Sequence, residues 1–149
     1  MKLWILTLGL FLVTAVLAGA QSTPESLVNK FFDTYLAQGT SAALDQFYAT
    51  NKWMDRNKDA TEKLKSQFAN LPALVGDYYG RDLIAKKTLG ESFVLISYLV
   101  KYDRQPIRFT FELYKPQDSW LAYSFSYDDS FGDELEEAAK VHNLDDDED

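Results

Sequence analysis

The sequence contains no cysteine and only one histidine, His142. Without thiols the chain can form no disulfide, and it offers neither a thiol nucleophile nor a cysteine that could accept an N-terminal lipid. A single histidine does not supply a typical zinc ligand set, and His-Glu-x-x-His, Gly-x-Ser-x-Gly and Gly-rich phosphate-loop motifs are all missing. We therefore predict no metal and no cofactor, and we interpret His142 as an ordinary helix residue.

Positive charge is also scarce, because 15 Lys and Arg residues stand against 23 Asp and Glu residues and give a net charge of −8. Lys2 is the one charged residue before position 21, so a chain that begins there has 14 basic and 23 acidic residues and a net charge of −9. Binding to nucleic acid requires a basic face that neutralises phosphates. We therefore expect no nucleic-acid partner.

The N-terminus has the pattern of a secretory signal peptide. Lys2 precedes a largely apolar run from Leu3 to Leu17, and the small residues Ala18-Gly19-Ala20 follow it. The run is shorter than the roughly 20 residues that span a bilayer, so a membrane anchor is the weaker alternative. We predict a Sec signal peptide over residues 1–20, cleaved after Ala20, with no stable membrane anchor afterwards. The absence of cysteine and of Asn-x-Ser/Thr sites favours a periplasmic or secreted bacterial protein.

Helical patterns dominate the first half of the remaining chain. Apolar residues recur at four-residue spacing through Leu27, Phe31 and Tyr35, after the helix-start signal Thr23-Pro24-Glu25. Two further amphipathic segments follow it. The predicted helices are Thr23 to Gly39, Thr40 or Ser41 to Tyr48, and Asp59 or Thr61 to about Pro72, with irregular segments at 51–58 and 74–79.

The second half alternates apolar and polar residues in the manner of β-strands. The predicted strands are 81–89, 93–102, 107–114 and 120–127. The first is predicted to be an edge strand in which Lys86 and Lys87 discourage pairing with other chains. The capping-box pattern Asp133-Glu134-Leu135-Glu136 predicts a short C-terminal helix, and Asp145–Asp149 is predicted to be a disordered acidic tail.

The last two strands are predicted to pair around a turn centred on Gln117. This register puts an almost wholly apolar set on one face and a mixed set on the other. The apolar pairs are Leu113 with Leu121, Phe111 with Tyr123, and Phe109 with Phe125. The pairs on the other face are Tyr114 with Trp120, Glu112 with Ala122, Thr110 with Ser124, and Arg108 with Ser126. We expect Phe31, Leu95 or Ile96, Phe109, Phe111 and Phe125 to form the core.

The element order predicts an α+β domain over residues 24–144, with three N-terminal helices packed on a four-stranded, mainly antiparallel sheet and a short C-terminal helix. The segments 30–39 and 43–49, together with the late strand pair, resemble the NTF2-like superfamily, also called cystatin-like or SnoaL-like. The resemblance implies a cone-shaped half-barrel with a pocket between helices and sheet. The residues that would line this pocket are Phe31, Tyr35, Tyr98, Phe109, Phe111 and Tyr123.

The fold that this chain resembles hosts enzymes, ligand binders and interaction modules, so the resemblance leaves function open. The preferred interpretation is an exported non-enzymatic module that binds a small apolar ligand or mediates protein–protein association. The alternative is a small-pocket isomerase, dehydratase or hydrolase, as the steroid isomerases and scytalone dehydratase of this fold imply. Its acid–base groups would come from Asp33, Asp77, Tyr78, Tyr79, Tyr98, Tyr102 and Tyr123.

A homodimer through the sheet is the partner that the sequence favours. The residue types Tyr, Trp and Arg anchor interfaces, and the polar face of the predicted strand pair carries all three. The candidate interface residues are Arg108, Glu112, Tyr114 and Trp120. A two-fold axis would let Arg108 of one chain meet Glu112 of the other.

Overall fold

We analysed a computed structural model of the chain, which describes residues 22–145. The predicted signal peptide and residues 146–149 of the predicted tail lie outside this range. The elements are α1 (Pro24–Gln38), α2 (Thr40–Tyr48), a 3-10 helix (Lys52–Asn57), α3 (Lys58–Ala69), α4 (Leu71–Val75), β1 (Tyr78–Leu89), β2 (Phe93–Tyr102), β3 (Ile107–Tyr114), β4 (Leu121–Asp128) and α5 (Phe131–Asp145). No helix among the described residues is long and apolar enough to cross a membrane.

The four strands form one antiparallel sheet in the order β1-β2-β3-β4. Helices precede and follow this sheet along the chain, so the predicted α+β class is confirmed. The prediction that the first strand lies at a sheet edge is also confirmed. β1 begins three residues earlier than predicted and carries two irregularities, after Tyr78 and after Leu83.

Helix α1 starts at a capping box that its own sequence supplies. The Ser26 backbone N–H donates to the Thr23 hydroxyl at 3.1 Å, and the Thr23 N–H donates to the Ser26 hydroxyl at 3.0 Å. Pro24 occupies the first turn, where its missing N–H costs nothing. Of the predicted apolar stripe, Leu27, Phe31 and Tyr35 are buried with their neighbours Val28 and Phe32, whereas Leu36 is exposed, and this fixes the rotation of α1 on the sheet.

Three helix predictions need correction. Residues 52–57 form a 3-10 helix instead of a loop, because the Asn51 side chain accepts the Trp53 N–H at 3.0 Å and caps it. The predicted connector after Pro72 is in part the short helix α4, in which Pro72 begins a helix and does not merely end one. The C-terminal helix is 15 residues long, not short.

The predicted register between β3 and β4 is wrong. Phe111 lies opposite Phe125, Phe109 opposite Tyr127 and Thr110 opposite Ser126, two residues away from the predicted pairing. A β-bulge between Glu112 and Leu113 then shifts the pairing by one residue, because two positions of β3 span three of β4. The following pairs are Leu113 with Ala122 and Tyr114 with Leu121.

An aromatic core fills the space between the helices and the sheet face that they cover, here called the inner face. The Phe31 ring lies 5.0 Å from both Phe111 and Phe125, and the Phe68 ring lies 5.3 Å from Phe109. All of the predicted core residues are buried, and of the two alternatives Leu95 and Ile96, Ile96 is the one in the core. The predicted core is therefore confirmed.

The two edges of the sheet differ in how they are covered. At the β4 edge, the Ala122 N–H donates to the Thr50 hydroxyl at 2.9 Å and its carbonyl accepts the Asn51 amide at 2.8 Å. The Phe125 N–H donates to the Tyr48 hydroxyl at 3.1 Å. No described side chain bonds to the backbone of β1 in this way, so the β1 edge is open.

Candidate functional site

The inner face holds most of the residues that were predicted to line a ligand pocket. Phe31, Phe109 and Phe111 have no exposed surface, and their rings contact one another. Tyr35 is buried beside them, and Tyr98 is half-buried against Phe32. These residues fill the space between helices and sheet with their own side chains.

Tyr123 does not join the predicted pocket. It is the extra residue of the β-bulge, it is 56% exposed, and its ring contacts Phe93 at 5.4 Å. Its predicted position opposite Phe111 is taken by Phe125. Ala122 takes the inner-face position opposite Leu113, so Tyr123 lies outside the core, and the bulge then returns Phe125 to the inner face.

A pair of buried tyrosines lies at the end of this core. The Tyr35 and Tyr102 hydroxyl oxygens are 2.8 Å apart, and the Tyr78 ring contacts both side chains. Burial raises the pKa of both Tyr35 and Tyr102 above the usual value, so both phenols are neutral at ordinary pH. Asp33 and Asp77 are exposed and hydrogen-bond to none of these tyrosines. The pair therefore joins α1 to β2 and has no carboxylate partner for acid–base chemistry.

This hydroxyl pair gives a testable prediction. Tyr102→Phe should lower the free energy of unfolding by about 1 to 3 kcal/mol, because it leaves the Tyr35 hydroxyl buried without its partner. The double variant Tyr35→Phe/Tyr102→Phe should recover most of that loss, since both polar groups are then removed. Urea denaturation of the wild type, the single variants Tyr35→Phe and Tyr102→Phe, and the double variant measures both effects. If the double variant instead loses as much free energy of unfolding as the two single variants added together, this account is wrong.

Within residues 22–145, no helix packs closely along the opposite, outer face of the sheet, although α5 is tied to one end of it through Arg108 and Glu134. One end of this face carries Leu89 at 78%, Tyr114 at 42% and Tyr123 at 56% exposure. Half-buried apolar residues lie between them. We call the set the outer patch, and its members are Leu89, Phe93, Leu95, Tyr114, Leu121 and Tyr123.

Opposite charges flank the centre of the outer patch. Lys87 on β1 and Glu112 on β3 both pair with Leu95 of β2, so one lies on each side of it. Neither Lys87 nor Glu112 has an ion-pair partner within residues 22–145. Two rows further along the same face, Asp82 and Arg108 flank Leu99 with the signs reversed.

Arg108 is held within its own chain. Its guanidinium contacts Asp128 at 2.7 Å on β4 and Glu134 at 2.8 Å on α5. The hydrogen bonds from Arg108 lower the pKa of the Glu134 carboxyl. Burial raises the pKa of the Asp128 carboxyl, but the hydrogen bonds from Arg108 and Ser130 outweigh burial and lower that pKa overall. The expected pairing of Arg108 with Glu112 of a second chain would have to compete with these bonds, so we correct the role of Arg108 to a clamp on α5.

Trp120 also differs from the prediction. It precedes β4, and Tyr114 lies opposite Leu121 instead. Trp120 is half-buried against the core, with the Lys115 ammonium 5.3 Å from its ring centre. Of the four candidate interface residues, Glu112 and Tyr114 therefore lie on the accessible outer face, whereas Arg108 and Trp120 are engaged within the chain.

Sequence reasoning missed the contacts that depend on the bulged register. The Arg108 clamp requires Asp128 to lie opposite Arg108, a position that the predicted register gave to Ser126. The Tyr48 bond to Phe125 likewise depends on which backbone groups of β4 face outward. No local sequence signal marks either contact.

In the part of the chain that the structure describes, no three or more His, Asp or Glu side chains are arranged to hold a metal ion. Comparison with known proteins adds no function. The chain matches no family model, no curated protein and no solved structure.

Proposed function

We propose that the chain is an exported, non-enzymatic module of the NTF2-like type that associates with a second copy through the outer face of its sheet. The observation that carries the proposal is the outer patch, which leaves large apolar side chains exposed on a face without a covering element. Patches of this kind mark interaction surfaces. The filled inner face supports association over ligand binding inside the cone.

The charge pattern selects a geometry for the pair. A two-fold axis running along β2 in the interface plane places β1 of one copy over β3 of the other, because β1 and β3 flank β2. Leu95 then lies against the same leucine of the partner subunit, and Lys87 lies against Glu112 of the partner subunit. Both charges lie one strand, about 4.8 Å, from the axis.

The second row of charges adds no comparable attraction, because both of its members are paired within their own chain. Arg108 is bound by Asp128 and Glu134, and Asp82 contacts the Lys101 ammonium at 3.1 Å. The contacts between Lys87 and Glu112 are therefore the ones that select this axis. Between the two charged rows lie Ala85, Ser97 and Thr110, which are short enough to let two sheets approach closely. Complementary charges of this kind set the register and orientation of an interface.

Charge reversal across the interface tests the proposal. Lys87→Glu should weaken self-association at least about tenfold, because it places two acidic side chains together in each of the two symmetric contacts. The swap Lys87→Glu/Glu112→Lys should restore the affinity to within about threefold of the original. Sedimentation equilibrium across a range of protein concentrations measures each constant.

A matched control is Lys63→Glu, which makes the same charge change on an exposed residue of α3, away from the sheet. It should leave the association constant nearly unchanged. A protein that stays monomeric at high concentration would overturn the proposed function. A dimer that responds equally to Lys87→Glu and Lys63→Glu would overturn the proposed axis.

A further inference from the structure

A surface cleft of about 480 Å³ lies on the other side of the molecule, between the α3–α4 region and the end of β4. Leu74 forms part of its wall and is 68% exposed, although it is a large apolar residue. The full lining is Leu64, Gln67, Asn70, Leu74, Phe125, Ser126 and Tyr127. None of the residues that were predicted for a ligand pocket belongs to this set.

The outer edge of β4 borders the cleft through Phe125, Ser126 and Tyr127. The Phe125 N–H donates to Tyr48, so it points away from β3. Backbone groups in an antiparallel strand alternate in direction with a period of two residues, so the N–H and carbonyl of Tyr127 also point away from β3. No helix or loop group in the described part of the chain bonds to them. The cleft therefore offers a donor and an acceptor along this edge.

The side chains that line the cleft are all uncharged. Leu64, Leu74 and Tyr127 provide apolar surface. The Gln67 side chain makes no hydrogen bond within residues 22–145. The Asn70 amide nitrogen donates to the Ser66 carbonyl at 3.1 Å, which leaves the Asn70 side-chain oxygen available. Sites of this size with apolar walls and a few fixed polar groups are typical of small-molecule binding.

We propose that this cleft binds an uncharged, mainly apolar small molecule that carries an amide group. The amide would pair with the Tyr127 backbone as a neighbouring strand does, and the apolar part would cover Leu74. A charged ligand is disfavoured because no side chain that lines the cleft carries an opposite charge, and the nearby Arg104 guanidinium is bonded to the Ala73 and Leu74 carbonyls. This site is separate from the outer patch, so it stands whether or not the chain dimerises.

A matched pair of probes tests the inference. Cyclohexanecarboxamide and cyclohexanecarboxylate share one ring skeleton and differ in charge. In a titration of the ¹⁵N-labelled protein, the amide should shift the backbone signals of Ser126 and Tyr127 in a saturable manner, and the carboxylate should bind at least about fivefold more weakly. Equal binding of the two probes, or no saturable shift with the amide, would overturn the proposal.

Two exposed leucines give the variant and its control. Leu74→Asn should weaken binding of cyclohexanecarboxamide at least about fivefold, since it removes the apolar wall of the cleft. Leu36→Asn changes a leucine that is 56% exposed on α1 and lines no part of the cleft, so binding should be unchanged. Both positions are exposed, and intact spectra verify that each variant folds. An affinity that Leu74→Asn leaves unchanged, or that both variants lower equally, would contradict the assignment.

Discussion

Replacing Phe111 with alanine is expected to lower the free energy of unfolding by about 3 to 5 kcal/mol. Phe111 has no exposed surface, and its ring lies 5.0 Å from Phe31, 5.5 Å from Phe47 and 5.2 Å from Phe125. These rings come from two helices and a neighbouring strand, so they cannot all move to fill the space that the substitution leaves. The cost therefore includes a cavity as well as the lost burial, and it is a large share of a small domain's stability.

Urea denaturation of the Phe111→Ala protein measures this loss. Tyr123→Ala is the matched control, because it removes an aromatic ring from a residue that is 56% exposed on the adjacent strand. We expect it to cost less than about 1 kcal/mol. Equal losses for the two variants would mean that the assignment of the two faces is wrong.

Gly76→Ala is the second substitution with a large expected effect. Gly76 has φ +86° and ψ −155°, a conformation that glycine alone adopts readily, so a side chain there costs about 1 to 3 kcal/mol. An added Cβ would also lie 2.8 Å from the Asp103 Cβ. Backbone bonds of 2.9 Å from Asp103 to Asp77 and from Arg104 to Val75 hold the two segments together, so neither can retreat freely.

Gly39→Ala separates the two costs at Gly76. Gly39 has nearly the same conformation, with φ +90° and ψ −178°, but an added Cβ there meets nothing within 4 Å. We expect Gly76→Ala to be more destabilising than Gly39→Ala by about 1 to 3 kcal/mol, the usual cost of overpacking. Thermal and urea denaturation of both variants give the difference. Equal effects would show that the Asp103 segment yields without cost.

The hydrophobic pattern was sufficient to predict the helices, the strands and the core. Leu27, Phe31 and Tyr35 recur on one helix face, and Phe109 and Phe111 recur on one strand face, so each element has one face to bury. These are local signals that persist whatever the exact pairing. They were enough to identify the α+β class and the buried phenylalanines.

The register of β4 was beyond such reasoning. A bulge changes the side-chain alternation at one position, and nothing in the residues from Leu121 to Ser124 distinguishes a bulged strand from a regular one. The connection between β3 and β4 is also one residue longer than predicted, since Tyr114 pairs with Leu121, and this offset moves Trp120 out of the strand and Tyr123 off the inner face. The Arg108 clamp was missed for the same reason, since it joins groups from β3, β4 and α5.

The unequal covering of the two sheet edges limits how copies of this chain can grow into larger structures. Tyr48, Thr50 and Asn51 occupy backbone groups of β4, which leaves only the short stretch at Tyr127 accessible on that edge. Within residues 22–145, β1 is therefore the edge along which a full strand can add. Two copies joined there would turn their covered edges outward, and extension would stop at a closed pair. A filament of strands needs two free edges per copy, so this route cannot produce one.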